Sequence, residues 1–539
     1  MDKADIRKFR EAHMAAVKRA ALAGYDIIYV YASHDISILN HFLSASINRR
    51  NDEYGGSFDN RLRLLREVLQ DTLETVGGSR AVAIRFSVAE PGRSRGLTHD
   101  GEGRDVVEAL AELPDLWDVN ISGWSSDSAS ARFSDEGFQL AYTDFVKPLT
   151  SKPVVGVGRF TSPEFMASLV RNGRLDLIGA ARPSIADPFL PNKIRDGRIE
   201  ELRECIGCNI CVGMDSYGVP VRCTQNPTIS EEWRSGWHPE APAQSRGRKS
   251  HLVIGSGPAG LECATTLLRA DQKVTVAESL NRAGGRASRE SGLAGLATWA
   301  RIRDHRTQQL LRSTDAELYL SSCMTAEDIV DFGADSVTIA TGSVWRRDGV
   351  GSTNFDPINF GSKQVLTPDD IMDGSILADD QSRCIVYDDD HFYMASVVAE
   401  HLARSGSRVV LATPLPEIAT WTGHTLEQTK IIERLSVLGV QLKPNLRIVD
   451  GPGFLCNLSG RKEALDAECV VFVGARRPVD GLHRQLLNKD GIGEIHIAGD
   501  CLAPGNIQAA VLSGHRTARS ILGEFGKGSE FRREQMRCC

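Results

Sequence analysis

The chain has 539 residues, of which 41% are hydrophobic and 25% are charged, so it is long enough for two or three domains with buried cores. Its formal net charge of −7 disfavours a nucleic-acid-binding surface. No apolar run approaches the roughly 20 residues that a membrane-spanning helix needs. We therefore expect a soluble, cytoplasmic protein without nucleic-acid or membrane partners.

Residues 1–230 alternate short apolar runs with amphipathic helical segments. The runs are YDIIYVY, AVAIRFS, DLWDVNIS, KPVVGVG and LDLIGAA, and polar loop residues and a helical pattern follow each of them. Five strand-and-helix units in series form a parallel sheet with helices outside, either open or closed into a barrel. The sequence therefore predicts an α/β fold for this part of the chain.

Four cysteines, Cys205, Cys208, Cys211 and Cys223, stand in the segments ECIGCNIC and CTQNP. Three closely spaced thiolates followed by a fourth are typical of an iron–sulfur cluster. Zinc is the alternative, but zinc sites usually have two separated CxxC pairs. A disulfide is disfavoured because no secretory signal opens the chain and the other cysteines are scattered. The spacing thus favours a [4Fe-4S] cluster over about residues 204–224 and one-electron chemistry.

A polar stretch at 231–249 carries Pro and Gly without apolar periodicity, which predicts a linker. Beyond it, a buried strand leads into Gly255-x-Gly257-x-x-Gly260 and a helix, and Glu278 ends the next strand. The glycines allow amides at the helix start to approach a pyrophosphate, and the carboxylate can bind the ribose hydroxyls. This pattern predicts a dinucleotide or ADP site.

Two later segments extend the same fold. SVTIATGS is a strand that runs into a small-residue turn, and Asp500 follows a buried strand in EIHIAGDC. Together with the glycine motif they predict an FAD-type nucleotide-binding domain over 250–365 and 480–525. Residues 526–539 are interpreted as a tail.

A second strand–turn–helix–strand pattern is nested at 366–479. Asp388, Asp389, Asp390 and His391 fill its turn, where glycines would be needed. Side chains and negative charge at this point would keep a pyrophosphate away. We therefore expect a degenerate Rossmann-like subdomain that does not bind NAD(P)H.

In this order, these features resemble the trimethylamine dehydrogenase group of the Old Yellow Enzyme superfamily, which includes dimethylamine and histamine dehydrogenases. The resemblance covers nearly the whole chain, and its most specific segments are NRRNDEYGGSFDNR, GVGRFTSPE, ARPSIADPFLPNK, ECIGCNIC and CTQNP. It implies a TIM barrel that carries FMN, a [4Fe-4S] cluster beside it, and ADP or FAD in the second domain. It also implies a homodimer that oxidises a small amine and passes electrons singly to an electron-transfer flavoprotein.

The resemblance implies that Tyr31, His34 and Asp127 surround the substrate amine and that Trp124 forms a wall of the substrate bowl. A tyrosine whose pKa is lowered by a neighbouring histidine would help to keep the amine neutral. On the residues alone, Tyr31 is a core aromatic and Asp127 a loop carboxylate. The matched spacing favours the catalytic interpretation.

The flavin site is implied in the same way. Arg85 matches the cation near the pyrimidine end of the isoalloxazine, where negative charge gathers on reduction. Gly158, Arg159, Ala181 and Arg182 lie in the predicted loops after the last two strands, where TIM barrels commonly bind phosphate.

Two positions depart from trimethylamine dehydrogenase. Asp215 stands where trimethylamine dehydrogenase has a tryptophan of the substrate bowl. A carboxylate at this position weakens an aromatic cage for a methylated cation. It suits instead a substrate with a second polar or cationic group, as in histamine dehydrogenase. Trp421 stands where the resembling enzyme docks its flavoprotein with an exposed tyrosine. A solvated loop aspartate and a packed loop tryptophan remain the alternatives.

The opening of the chain corresponds to a region inside the family's barrel, so the first three of the eight strands of a closed barrel are missing. We therefore expect a partial barrel that binds FMN poorly, as in a mis-started reading frame or a fragment. Two alternative functions follow. One is an NAD(P)H-dependent enoate reductase of the 2,4-dienoyl-CoA reductase type, and the other is an inactive truncated fragment.

Overall fold

The computed structural model describes residues 1–215, 217–243, 247–374, 383–449, 453–465, 467, 469–487 and 489–524. The predicted tail at 526–539 lies outside the described residues. The chain forms two compact units, the first from 1–129 and 134–184 and the second from 130–133 and 185–539. Among the described residues, no helix is both long enough and apolar enough to cross a membrane.

The first unit alternates helices and strands along the chain. Its elements are α1 (Lys3–Leu22), β1 (Ile27–Ala32), α2 (Ile38–Leu43), α3 (Phe58–Val76), β2 (Ala81–Ala89), α4 (Glu102–Leu110), β3 (Leu116–Ile121), α5 (Trp124–Asp127), α6 (Leu140–Thr143), β4 (Val154–Gly156), α7 (Pro163–Arg171), β5 (Leu177–Ile178) and α8 (Ala181–Ala186).

All five strands of this unit are parallel, in the order β1-β2-β3-β4-β5. Each coincides with one of the five apolar runs, so the predicted α/β sheet is confirmed for this unit. Helix α3 illustrates how the sequence builds the outer layer. Ser57 caps its first turn, Gly77 ends it with a φ of 55°, and Leu62, Leu65 and Leu69 lie buried on one face.

The second unit has these elements: α9 (Leu190–Arg195), α10 (Ile210–Asp215), α11 (Glu232–Ser235), β6 (Ser250–Ile254), α12 (Pro258–Arg269), β7 (Lys273–Ala277), α13 (Gly285–Glu290), α14 (Ala300–Leu311), β8 (Ala316–Tyr319), α15 (Ala326–Phe332), β9 (Ser336–Ile339), β10 (Ser343–Trp345), β11 (Gln364–Leu366), α16 (Pro368–Met372), β12 (Arg383–Asp388), α17 (Tyr393–Arg404), β13 (Arg408–Ala412), α18 (Gln428–Val437), β14 (Gln441–Lys443), β15 (Leu446–Ile448), β16 (Phe454–Cys456), β17 (Lys462–Glu463), β18 (Cys469–Val473), β19 (Arg476–Pro478), α19 (Gly481–Leu486), β20 (Glu494–Ile497) and α20 (Ile507–Ile521).

Two parallel sheets organise this unit. One has the order β20-β9-β6-β7-β8 and the other the order β11-β18-β12-β13-β14. In each, a central strand precedes a helix that packs on the sheet, β6 before α12 and β12 before α17. Small antiparallel pieces, β10 with β19 and β15 with β16 and β17, complete the strands.

The unit boundary differs from the sequence-based boundary near residue 230, because residues 185–230, which include the four cysteines, pack within the second unit. The predicted linker also has structure where it is described. It contains α11, and Trp237 is buried with the Arg519 guanidinium over its ring. A single anchored aromatic leaves no periodic signal, so the sequence pattern missed it.

Candidate functional site

Two rows of polar side chains cross the first sheet near the carboxyl ends of its strands. Parallel pairing aligns Tyr31 with Arg85 and Arg85 with Asp118. Two residues further along each strand, Ser33 lies 2.7 Å from Ser87 by their Oγ atoms, and Ser87 aligns with Asn120. Because residues i and i+2 of a strand share a face, both rows project from the same side of the sheet. This is the edge where a parallel barrel presents its chemistry.

His34 connects this edge to the helix that follows β3. The Tyr31 hydroxyl hydrogen-bonds Nδ1 of His34, and Nε2 of His34 lies 3.1 Å from Oδ2 of Asp127 in α5. His34 is buried, whereas Tyr31 is 38% exposed. The structure therefore brings together the three residues predicted to be catalytic, with the phenol at the accessible end. Asp127 lies in a one-turn helix rather than in the loop of the alternative interpretation.

Electrostatics at this edge differ from one expectation. Burial raises the pKa of Tyr31, and the nearby Arg85 opposes this only partly. The net shift of the Tyr31 pKa is therefore upward, opposite to the expected direction, since desolvation dominates. Asp127 shifts the other way: burial raises its pKa, but the nearby His34 and a hydrogen bond from Gln139 outweigh this effect and leave the pKa below its usual value.

Trp124 opens α5, and its ring stands edge-on to His34 with the centroids 6.0 Å apart. The indole is 41% exposed, so it forms a wall beside the imidazole that a ligand can reach. Asp215 ends α10 and is exposed. It belongs to the second unit.

Sequence reasoning missed two residues of this network. Nδ2 of Asn120 lies 2.7 Å from His34 Nε2, and Gln139 donates from Nε2 to Oδ1 of Asp127 at 2.8 Å. Asn120 could have been found in DLWDVNIS, because Asp118 and Asn120 put polar side chains at alternating positions of a strand whose six residues are all buried. No comparable signal marks Gln139, which follows β3 by a long connection.

The residues predicted to hold the flavin phosphate follow β4 and β5. Gly158 is buried with a φ of 153°, Arg159 has a φ of 59°, and its Nη1 donates to the carbonyl oxygen of Ser134. Ala181 and Arg182 lie in the first turn of α8, not in a loop as expected. Arg182 donates from Nη1 to the carbonyl oxygen of Ala129 at 2.8 Å. Arg85 pairs with Asp118 at 2.9 Å and keeps 26% of its side chain exposed.

Helix α14 and the turn before it hold the cysteine segment. Thr298 donates to the carbonyl oxygen of Ile206, and Arg301 donates to that of Cys205, both at 2.9 Å. Arg306 is fully buried, and its Nη1 and Nη2 donate to the side-chain and main-chain oxygens of Gln225, two residues after Cys223. The loop that carries the four cysteines is thus fixed by main-chain contacts at both ends.

The four cysteines are half-buried thiols in this segment. Burial raises the pKa of Cys208 to about 12 and that of Cys223 to about 11. Main-chain N–H groups of Gly207 and Gln225 donate to the sulfurs of Cys205 and Cys223, both at 3.3 Å. Among the described residues, no three His, Cys, Asp or Glu side chains converge on a point where one metal ion could be held.

The glycine motif has the geometry that a nucleotide fold requires. Gly255 has a φ of 100°, and a Cβ there would lie 2.5 Å from the carbonyl oxygen of Ala340. A Cβ on Gly260 would lie 1.9 Å from the carbonyl oxygen of Gly255, so this glycine allows the helix to pack on the loop. A Cβ on Gly257, the N-cap of α12, would meet no atom within 4 Å. The loop therefore leaves an open cradle at the start of α12.

A cavity of about 780 Å³ extends from this cradle through the second unit. Glu278 lines it, and its Oε2 accepts from the N–H and hydroxyl of Ser256, which fix the carboxylate at the end of β7. At the other end, the guanidiniums of Arg286 and Arg476 lie 5.4 and 5.2 Å from the ring centroid of Trp345. Two arginines therefore stack on one indole, and the carboxylates of Asp390 and Asp500 line the same cavity.

Asp500 lies between β20 and α20 and lines the same cavity. Its Oδ2 accepts from Ser343 at 2.8 Å and from Arg476 at 2.6 Å, and its Oδ1 accepts from the N–H of Gly505 at 3.1 Å. Both carboxylate oxygens therefore already have protein partners. Asp500 orients Arg476 toward the cavity wall.

The turn that carries Asp389, Asp390 and His391 follows β12. Asp389 is buried and accepts from the N–H of Thr353, while Asp390 lines the cavity. Burial raises the pKa of Asp388 to about 7. These carboxylates occupy the position between strand and helix where a Rossmann fold would present N–H groups to a phosphate.

Comparisons with known proteins agree with this geometry. Residues 1–201 match the NADH:flavin oxidoreductase / NADH oxidase family, and residues 253–292 match the NAD(P)-binding Rossmann-like domain. Dimethylamine dehydrogenase of Hyphomicrobium sp. (strain x) is 33% identical over 557 residues, which cover 96% of this chain and 75% of that protein. The chain belongs to the dimethylamine dehydrogenase group of the Old Yellow Enzyme superfamily. The resemblance drawn from the motifs is confirmed.

Two solved structures of this group superpose closely. The 6-hydroxypseudooxynicotine amine oxidase of Pseudomonas geniculata N1 has a TM-score of 0.94 at 45% identity, covering 96% of this chain and 79% of its own. The histamine dehydrogenase of Rhizobium sp. 4-9 has a TM-score of 0.93 at 44% identity, covering 97% and 77%. As a member of the dimethylamine dehydrogenase group, this protein is a flavin-dependent oxidoreductase with an FMN-type domain followed by a Rossmann-like domain.

Proposed function

We propose that this protein oxidises a small amine at the carboxyl edge of its first sheet, with Tyr31, His34 and Asp127 managing the proton of the substrate nitrogen. The observation that carries this proposal is the hydrogen-bonded chain from the Tyr31 hydroxyl through His34 to Asp127. The names of dimethylamine dehydrogenase, histamine dehydrogenase and 6-hydroxypseudooxynicotine amine oxidase all describe enzymes acting on amines, which supports it.

The overall reaction takes R–CH2–NHR′ and water to R–CHO, H2NR′, two protons and two electrons. Tyr31 contacts the amine and accepts the proton of the substrate nitrogen, because the phenol is the accessible end of the hydrogen-bonded series that runs through His34 to Asp127. His34 exchanges a hydrogen bond with the phenol, and Asp127 orients the imidazole. Trp124 shields one side of the bowl and presents a ring face to a cationic nitrogen.

The donor set of the first unit suits FMN. Arg159 and Arg182 supply guanidiniums for the phosphate beside the main chain of Gly158 and Ala181, and Arg85 supplies a cation for the pyrimidine edge. When bound, FMN accepts the two electrons that leave the amine.

We further propose that Cys205, Cys208, Cys211 and Cys223 hold a [4Fe-4S] cluster. Four thiols in one fixed loop have the donor chemistry of this group. In such a cube each thiolate binds a different iron, so the four sulfurs need not converge on one point as the ligands of a single zinc ion must. The absence of a convergent set among the described residues is therefore compatible with the cluster. When bound, the cluster carries electrons one at a time.

For the second unit we propose ADP rather than FAD. The cradle at Gly257 suits a pyrophosphate and Glu278 a ribose. Arg286 and Arg476, stacked on Trp345, provide charge for a terminal phosphate, whereas an isoalloxazine ring would have to displace them. Extraction of the purified protein followed by mass analysis identifies the nucleotide.

The electron acceptor is proposed to be an electron-transfer flavoprotein, with Trp421 as a docking anchor. Trp421 is 48% exposed and borders a cavity of about 540 Å³ together with Tyr217 and Val219, which are also exposed. This cavity includes Ile210 and Met214 of α10, the helix that carries Cys211. Exposed aromatic and aliphatic side chains beside the cysteine loop suit a transient partner.

Asp215 bears on which amine is oxidised. A carboxylate that meets the substrate pairs with a second cationic or polar group of that substrate. We therefore propose an amine with such a group, as in histamine, over a simple methylated amine.

The test offers the flavin-loaded protein dimethylamine, trimethylamine, histamine and NADPH in separate anaerobic reactions, each with an artificial one-electron acceptor. We expect an amine to reduce the acceptor and release an aldehyde that a carbonyl reagent traps. Reduction by NADPH alone would instead support an enoate reductase, which the aldehyde assay and an enone substrate then separate. Reduction by none of the four in a flavin-loaded protein would support the inactive alternative.

A further inference from the structure

Asn120 faces the imidazole of His34 from the carboxyl end of β3. It is fully buried, and its Nδ2 lies 2.7 Å from His34 Nε2, closer than the 3.1 Å between the same nitrogen and Oδ2 of Asp127. Nε2 therefore has one donor and one acceptor beside it. It can accept from Asn120 only when it carries no proton, and it can donate to Asp127 only when it does.

Two serines decide which end of the Asn120 amide faces the histidine. The hydroxyls of Ser33 and Ser87 each lie 2.9 Å from Oδ1 of Asn120 and can both donate to it. Ser87 also accepts from the main-chain N–H of His34 at 3.2 Å. With Oδ1 toward the serines, both buried hydroxyl protons have a carbonyl acceptor, whereas the reversed amide would direct its own N–H groups at them. This favours the orientation in which Nδ2 points at His34.

We propose that Asn120 is a positioning residue that keeps the proton of neutral His34 on Nδ1, so that the imidazole donates to the Tyr31 oxygen. The proposal rests on the proposed function in treating Tyr31 as the group that meets the amine. In the other tautomer, Nε2 donates to Asp127, and the Tyr31 hydroxyl must donate its hydrogen bond to the unprotonated Nδ1. Asn120 thus determines whether the phenol oxygen receives a hydrogen bond or gives one.

The chemical consequence lies at Tyr31. A hydrogen bond from Nδ1–H stabilises negative charge on the phenol oxygen, so that the ionised Tyr31 can accept the proton of the substrate nitrogen. The charged and titratable groups around this pair are Arg85 from β2, Asp118 from β3 and Asp127 from α5. The test keeps all three and changes only the group that faces Nε2.

The first measurement is nitrogen NMR of histidine-labelled protein at neutral pH without flavin, with the His34 signals assigned by their loss in His34→Gln. We expect a protonated Nδ1 and an unprotonated Nε2. Asn120→Leu removes the donor with little change in size, and Asn120→Asp replaces it with an acceptor. Both should move the proton to Nε2. An Nε2–H tautomer in the unchanged protein, or the same tautomer in all three proteins, overturns the proposal, whatever substrate the enzyme takes.

The second measurement is the pH dependence of kcat/KM with the flavin-loaded enzyme. We expect the limb that reports Tyr31, along which the rate rises with pH, to move upward by about one pH unit in Asn120→Leu, since the phenol loses its stabilising donor. A merely structural role would lower the rate without moving the limb. Asn40→Leu is the matched control: Asn40 is a fully buried asparagine of α2 whose amide atoms have no hydrogen-bond partner among the described residues. It should change neither the tautomer nor the limb.

Discussion

Arg306 of α14 donates to both the side-chain oxygen and the main-chain oxygen of Gln225, at 2.8 and 3.0 Å. The same guanidinium donates from Nε to Oε2 of Glu262 at 2.7 Å, and Glu262 lies on α12, the helix that starts at the nucleotide cradle. One fully buried arginine therefore ties the segment after Cys223 to the nucleotide-binding helix.

Replacing Arg306 with methionine should lower the free energy of unfolding of the second unit by about 3–5 kcal/mol, because the buried Glu262 would lose its guanidinium partner and keep only Thr266 and His515. It should also lower the iron content, since the cysteine segment loses two hydrogen bonds. Denaturant unfolding followed by tryptophan fluorescence and iron analysis measure the two effects.

Arg312→Met is the control for that substitution. Arg312 is the C-cap of the same helix, and its guanidinium lies 3.6 Å from the Glu200 carboxylate. Both side chains are exposed, so loss of this ion pair should change the free energy of unfolding by less than about 0.5 kcal/mol. Equal stability and equal iron content in the two variants would contradict the role given to Arg306.

Tyr31→Phe should reduce kcat/KM for the amine by about 10²–10⁴-fold, the usual contribution of a group that transfers a proton. Since burial raises the pKa of Tyr31, the phenol stays protonated to higher pH than free tyrosine, and the rate of the unchanged enzyme should rise with pH through that raised value. The variant should lose this rise. The measurement is a pH series of steady-state rates with one amine.

Tyr29→Phe serves as the comparison, because Tyr29 lies on the same strand and the same face, with its pKa also raised by burial. It stands outside the hydrogen-bonded set of His34 and should keep the pH dependence. If the two variants behave alike, the phenol of Tyr31 has no special part in the reaction.

Much of the architecture follows from sequence pattern. The five apolar runs of the first unit became β1 to β5, and the glycine spacing located the cradle at Gly257, because strand periodicity and turn glycines are local properties. The sequence did not predict the roles of Asn120, Gln139 and Arg306, because their partners are distant along the chain. Arg306, for example, contacts Gln225, which lies 81 positions away. Charged residues on a helix usually face solvent, and only packing shows that this one is buried.

Gly257→Ala should weaken ADP binding by about tenfold or more without lowering stability. Its φ of −68° suits alanine, and the added Cβ meets no protein atom within 4 Å, so it enters the space that the pyrophosphate would use. Calorimetric titration of nucleotide-depleted protein with ADP, beside thermal unfolding, measures both quantities.

Gly481→Ala provides the matched change, since a Cβ at this first residue of α19 also meets no atom within 4 Å. It should leave ADP affinity unaltered. Unchanged affinity in Gly257→Ala would mean that the nucleotide lies elsewhere in the cavity.

In the proposed reaction, electrons from an amine leave through an iron–sulfur cube held by Cys205, Cys208, Cys211 and Cys223. The decisive measurement is the content of iron, zinc and acid-labile sulfide in anaerobically isolated protein. We expect about four iron and about four sulfide per chain, the composition of a [4Fe-4S] cluster, with loss of both in Cys208→Ser. Zinc at about one per chain without sulfide would contradict it.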